Sequence, residues 1–253
     1  MKNIVLFLSA ACLLSAPIFG QQQENRFAEI TDPQLLNINK LPPHASFTSY
    51  IDETSALNKD KANGSFYLPL NGTWKFHYTE KFKERPMNFM EPDFNTADWK
   101  EIKVPGNWEL QGFGTYQYGI TFYGKPFPKG VADEKGMYKY EFEVPEKFRG
   151  KQVNLVFEAS MTDTEVKVNG RKVGSKHQGA FYRFSYNVTD FLKYGKKNLL
   201  EVTVAKESEN ASVNLAERRA DYWNFGGIFR PVFIVAKPAQ NIDRLVIDAK
   251  ADG

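Results

Sequence analysis

The chain of 253 residues has one cysteine, Cys12, only three histidines, and no apolar run long enough for a retained membrane span. A lone cysteine excludes a disulfide within the chain and leaves a thiolate metal site without a second sulfur. His44, His77 and His177 stand in separate segments with no HxH or HExxH spacing, so the histidines form no metal-ligand pattern. A GxSxG elbow, a phosphate loop and a dinucleotide fingerprint are also missing, which leaves no sequence signal for those chemistries. Basic and acidic residues nearly balance, 33 against 30, and the basic ones do not run together. That is no footprint for nucleic acid, and no nucleic-acid partner is expected.

What is present begins with a leader. Lys2 gives a positive start, Ile4 to Ile18 is largely apolar, and the small Gly20 offers a cleavage point before Gln21. Residues 1–20 read as a secretory signal peptide, so export to the periplasm or the cell exterior is expected. Cys12 follows Ser9, Ala10 and Ala11 in the outline of a lipoprotein box. Leu13 and Leu14, however, continue the apolar run where a mature lipoprotein would begin, and lipid anchoring is not expected. Without cysteine the mature chain must rely on a sizeable core.

Residues 21–64, with "LPPHASF" in the middle, lack periodicity and read as an extended arm anchored by residues such as Leu41 and Phe47. From Ser65 onward, apolar and polar residues alternate: Trp74, Phe76, Tyr78; Tyr138, Tyr140, Phe142, Val144; Val153, Leu155, Phe157; Phe184, Tyr186, Val188; Leu200, Val202, Val204. Period two means half-buried strands. Asn169-Gly170 between β-branched runs is a hairpin signal, and in "TDFLKYG" Thr189 or Asp190 can cap one helical turn. Pro231 to Ala236 reads as a further strand. With weaker runs near Phe66, Ile102 and Phe122 there are about ten strands and no long amphipathic helix. The fold class is all-β, a jelly-roll β-sandwich over residues 65–237. Residues 238–253 read as a linker, "KPAQN", and the first strand of a following domain, which implies a longer polypeptide.

Aromatic residues make up 15% of the chain, and rings with an apolar face and a polar edge suit sugars as well as strand cores. They concentrate in "ERRADYWNFGGIFRPV", residues 217–232. Among the carboxylates that an end of the sandwich could gather, Asp163, Glu165 and Glu217 read as solvated strand or loop residues. Asp221 differs, because a carboxylate among Tyr222, Trp223, Phe225 and Phe229 is costly unless hydroxyls or positive charge engage it.

The blocks "LNGTWKF", "VPGNWELQGFG", "YKYEFEVP", "VFEASMTDTEVKVNGRKVG", "DFLKYGKKNLLEVTV" and "DYWNFGGIFRPV" resemble, in that order, the amino-terminal sugar-binding jelly roll of glycoside hydrolase family 2. The chain is similar to the bacterial β-galactosidases of that family, and the likeness runs from near Asn37 to Pro238. The resemblance implies that Asp221 reaches the active site, contacts sugar hydroxyls and lies by a sodium ion, with sodium or magnesium bound in the intact enzyme. It implies a β-linked glycoside or oligosaccharide as substrate, downstream immunoglobulin-like and (β/α)₈ domains, and leaves a homo-oligomer open. Tyr222, Trp223 and Phe225 are expected to wedge the loop against the barrel rather than stack on sugar, with Asn224, Arg218 and Arg219 at the pocket or domain interface. The family's catalytic glutamates belong to the barrel, one within an Asn-Glu pair, and no such dipeptide occurs here. These residues alone are therefore expected to hydrolyse nothing.

Two departures keep the sugar open. The substrate-contacting asparagine of many β-galactosidases falls on Ile120, and Arg218 and Arg219 replace acidic residues. An arginine-rich loop beside Asn224 to Ile228 also suits the family's β-glucuronidases, although pairing with Glu217 accounts for the arginines equally well. A stand-alone carbohydrate-binding module and a purely structural scaffold domain are the other readings.

Overall fold

The computed structural model describes residues 39–40, 47–61, 65–81, 85–86, 88–118, 133–219, 221–242 and 244–251. The leader of residues 1–20 with Cys12, much of the arm including Leu41 and His44, Ile120 and the run around Phe122 lie outside the described residues.

Alternation becomes two antiparallel sheets, with a separate two-stranded ribbon beside them. Their strands are Tyr67–Pro69 (β1), Gly72–Thr79 (β2), Lys100–Val104 (β3), Gln117–Tyr118 (β4), Lys135–Glu143 (β5), Gln152–Phe157 (β6), Asp163–Val168 (β7), Arg171–Lys172 (β8), Phe184–Asn187 (β9), Lys197–Ala205 (β10), Trp223–Asn224 (β11) and Val232–Lys237 (β12). The larger sheet runs β3-β2-β5-β10-β7-β8, the smaller β1-β12-β6-β9, and β4 pairs with β11 apart from both. The fold is a jelly-roll sandwich. Trp74, Phe76, Tyr138, Val166, Val202 and Val204 of the larger sheet join Leu155, Phe157, Tyr186, Val232 and Ile234 of the smaller in one buried cluster. Period-two side chains put every second residue of each strand there. Asn169 and Gly170 both take positive φ, 52° and 77°, and turn β7 into β8, with Val168 opposite Arg171.

Several features depart from the reading of the sequence. Twelve strands occur among the described residues rather than about ten. The turn at Thr189–Phe191 is 3-10 with Val188 at its N-cap and no side-chain cap bond, while the Asn187 side chain ahead of it accepts from the Thr189 amide at 3.1 Å and hydroxyl at 2.7 Å. Two short α-helices form among the described residues, Glu53–Leu57 (α1) and Ala211–Glu217 (α2). The second is capped by Asn210, whose side chain accepts from the Ser212 amide. The larger sheet's outer face is covered by Phe89, Met90, Phe94 and Trp99, packed on Met137. Residues 244–250 carry no strand, and Val246 and Ile247 are exposed.

Asp163 was expected to be solvated but is buried, because β7 begins beneath the turn that leads to α2 and the Glu209 amide donates to its Oδ2 at 3.0 Å. Burial pushes its carboxyl up to about 6, against the opposing pull of the Glu209 amide and Lys176. A pKa raised on folding means that the folded chain holds this proton more tightly. The associated stability is full below the unfolded value of about 4 and is lost as pH rises through about 6. We expect Asp163→Asn to remove a decline of roughly 2 kcal/mol between about pH 4 and 7. Urea unfolding of both chains across that range checks this, and parallel pH profiles would contradict it.

Candidate functional site

The loop after α2 is held from inside by an arginine. Arg218 is only 1% exposed. Its amide donates to the Asn214 carbonyl, closing α2, its guanidinium donates to the Phe225 carbonyl at 2.7 Å, and its own carbonyl accepts from Asn224 Nδ2 at 2.9 Å. One residue thus clamps both ends of residues 218–225. Burial lowers the guanidinium pKa, while the Tyr222 hydroxyl and the Glu207 carboxylate raise it. Arg218 therefore belongs to the loop's frame rather than to an open pocket. Arg219 is exposed. Glu217 spends one carboxylate oxygen on the Ala180 amide at 2.7 Å.

The clamp leaves Asp221 to Phe225 spread along a second short strand. β11 pairs with β4 so that Trp223 faces Tyr118 and Asn224 faces Gln117. Trp223, 49% exposed, meets the rings of Tyr118 at 5.1 Å and Tyr116 at 6.2 Å, both edge-on. Phe225 meets Tyr116, and Tyr222 meets Phe181. Asp221 is exposed, and its Oδ1 accepts a hydrogen bond from the Tyr118 hydroxyl. That bond raises the Tyr118 pKa above its ordinary range. The cost of placing a carboxylate among rings is thus met partly within the chain, by a tyrosine that the sequence reading did not single out.

Beneath this surface lies a buried charge network. Glu109 accepts from the Gly226 amide with both carboxylate oxygens, at 3.1 and 3.0 Å, and pairs with Lys206 Nζ at 2.8 Å. Lys206, fully buried, also lies 3.3 Å from Glu134. Glu134 accepts from the Tyr78 hydroxyl at 2.7 Å and from Gln117 Nε2 at 3.1 Å. Burial, then the bond to Glu134, drives the Tyr78 pKa far up. Two carboxylates against one ammonium would be costly in a low dielectric, and neutral donors share the excess charge. The network fastens Gln117 of β4 and Gly226 after β11 to one point. Gly226 admits no side chain, since a Cβ would stand 1.9 Å from the Trp108 ring. Gly227 has φ +115°, and its Cβ would stand 2.9 Å from the Gly106 carbonyl. "VPGNW" and "NFGGI" therefore pack directly on one another.

The four carboxylates do not form one group. Asp163 binds the Glu209 amide, Glu217 the Ala180 amide and Asp221 the Tyr118 hydroxyl, while Glu165 sits opposite Thr203 in the sheet. As to a cation, Asp221 offers one carboxylate with an oxygen already engaged, and no group of three His, Cys, Asp or Glu side chains gathers among the described residues. Hard cations take several oxygen ligands, and these residues alone do not make such a site.

Residues 68–238 match the profile described as "Glycosyl hydrolases family 2, sugar binding domain". The chain belongs to glycosyl hydrolase family 2. A beta-galactosidase of Lactobacillus delbrueckii subsp. bulgaricus is 33% identical over 229 residues, which cover 88% of this chain and 22% of that protein. The beta-galactosidase large subunit of Leuconostoc lactis is 30% identical over 238 residues, 86% of this chain and 36% of the relative. A Bacteroides uniformis beta-glucuronidase structure superposes with a TM-score of 0.51 at 26% identity, over 68% of this chain and 18% of that one. The chain therefore spans about a fifth to a third of these relatives, and the region just described lies within the matched residues 68–238.

Proposed function

We propose that this domain forms the sugar-contacting, non-catalytic wall of an exported family 2 β-glycosidase, with a terminal β-galactoside as substrate. The observation that carries the reading is Asp221: an exposed carboxylate oriented by Tyr118 on a two-stranded ribbon whose base is locked by Glu109, Lys206 and Glu134. A pre-oriented carboxylate accepts charge-assisted hydrogen bonds from sugar hydroxyls without first having to be ordered. Bonds that tighten as the ring distorts lower the barrier for a reaction whose acid/base and nucleophile come from elsewhere in the enzyme. Trp223 and Tyr116, edge-on and exposed, form the rim that a neighbouring domain covers. The immunoglobulin-like and barrel domains, export by the leader, and sodium or magnesium belong to this proposal, with Asp221 supplying one ligand to any such ion. Galactose is favoured by the names of the relatives at 30% identity and above and by the burial of Arg218, which withdraws one of the two arginines from solvent. A β-glucuronide is the second reading, supported by the exposed Arg219 and the 26% identical glucuronidase.

The intact polypeptide is expected to turn over nitrophenyl β-galactoside in preference to nitrophenyl β-glucuronide, and the reverse order would overturn the choice of sugar. Tyr118→Phe retains the ring against Trp223 and deletes the hydroxyl. We expect it to lower kcat/KM by about tenfold, in line with loss of one hydrogen bond to a charged group. Steady-state kinetics with a melting curve as control measures this, and an unchanged kcat/KM would remove Tyr118 from the proposal.

A further inference from the structure

On the opposite flank, a cavity of about 590 Å³ lies between the outer face of the smaller sheet and the segment 47–51. Its floor follows from strand alternation. Val153, Leu155, Val232 and Ile234 face the core, so Asn154, Phe233 and Val235 face outward. Tyr67, Val235 and Asn154 stand in one cross-strand row, with Phe233 in the next. The rings of Tyr67 and Phe233 lie 4.9 Å apart, tilted by 40°. At one end Glu158 and Arg183 pair at 3.8 Å, with the Arg183 guanidinium over the Phe233 ring. Asn154 is 3% exposed, and its Oδ1 has no hydrogen-bond partner among the described residues.

We propose that this cavity is a second carbohydrate site that holds a neutral pyranose or a disaccharide. It shares no lining residue with the wall around Asp221. A buried acceptor without a donor is costly, and a sugar hydroxyl donates the missing hydrogen bond to Asn154 Oδ1. Tyr67 and Phe233 offer apolar ring surface to the C–H face of the pyranose. Glu158 accepts from, and Arg183 donates to, hydroxyls at the far end. The volume falls in the range of small-ligand pockets, about 300–1,000 Å³. The ligand is neutral because Glu158 lies beside Arg183 and opposes an incoming carboxylate, whereas a lipid chain would leave the Asn154 amide without a donor and strip water from the ion pair.

Saturation-transfer NMR and titration calorimetry of the full chain test this with methyl β-D-galactoside, methyl β-D-glucoside, cellobiose and methyl β-D-glucuronide. At least one neutral probe should bind with a dissociation constant at or below about 1 mM and should bind Asp221→Ala equally well. Asn154→Val should weaken it by about tenfold. Ser185→Phe, which fills the cavity from the rim and leaves the core intact, should abolish it and keeps the test available if Asn154→Val does not fold. Binding that survives Ser185→Phe, that is lost in Asp221→Ala, that prefers the glucuronide, or that is absent for every neutral probe overturns the proposal. Because Asp221→Ala is its control, the Asp221 reading and this one can fail separately.

Discussion

Asp221→Asn in the intact enzyme should lower kcat/KM on a nitrophenyl β-galactoside by about a hundredfold, the scale of one lost transition-state contact to charge. Asparagine keeps the shape and an acceptor for the Tyr118 hydroxyl, so the ribbon of β4 and β11 stays in place and only the negative charge goes. Asp221 is exposed, and the melting temperature should move by no more than about 2 °C. Steady-state kinetics beside a thermal melt separates the two effects. Full activity in a folded Asp221→Asn enzyme would mean that the loop serves only to dock a neighbouring domain.

A change at the base of the same site should have the opposite signature. Lys206→Met leaves Glu109 and Glu134 as buried carboxylates without their shared cation. Breaking a buried pair from one side costs about 3–5 kcal/mol, here roughly 10 °C of melting temperature for a chain of this size. Replacing Lys75 in its exposed pair with Glu101 should cost no more than about 0.5 kcal/mol. Adding Glu109→Gln to Lys206→Met removes one stranded charge and should recover part of the loss. Calorimetric melts of the three variants decide the point. Equal, small losses for Lys206 and Lys75 would show that the buried network is no support for the loop.

The sandwich was legible in the sequence because period-two alternation maps directly onto burial. Trp74 and Phe76, Leu155 and Phe157, and Leu200 and Val202 all fall in the core, and Asn169-Gly170 turns where expected. The position of Asp221 was legible only through resemblance, and what surrounds it was not. β4 and β11 are two residues each, too short for any pattern to register. Arg218 is expected at the pocket or domain interface because an arginine is seldom fully buried. It is buried by a clamp between a helix end and the Phe225 carbonyl, neither of which marks the sequence. Glu109, Glu134 and Lys206 come from three distant segments, and polar side chains that pair across a fold leave no periodicity. Asn210 ahead of Ala211–Glu217 was a readable helix cap. The helix it starts is only seven residues long, too few for an amphipathic period to mark it.

The most direct measurement of the central claim, that Asp221 holds a sugar hydroxyl during turnover, is a cycle of kcat/KM values for native and Asp221→Asn enzyme on nitrophenyl β-galactoside and its monodeoxy analogues. If Asp221 contacts one hydroxyl, the analogue lacking it should lose nearly all of the roughly hundredfold penalty, while the other analogues retain it. A penalty of the same size on every analogue would contradict the contact and assign the effect of Asp221 to the architecture of the loop.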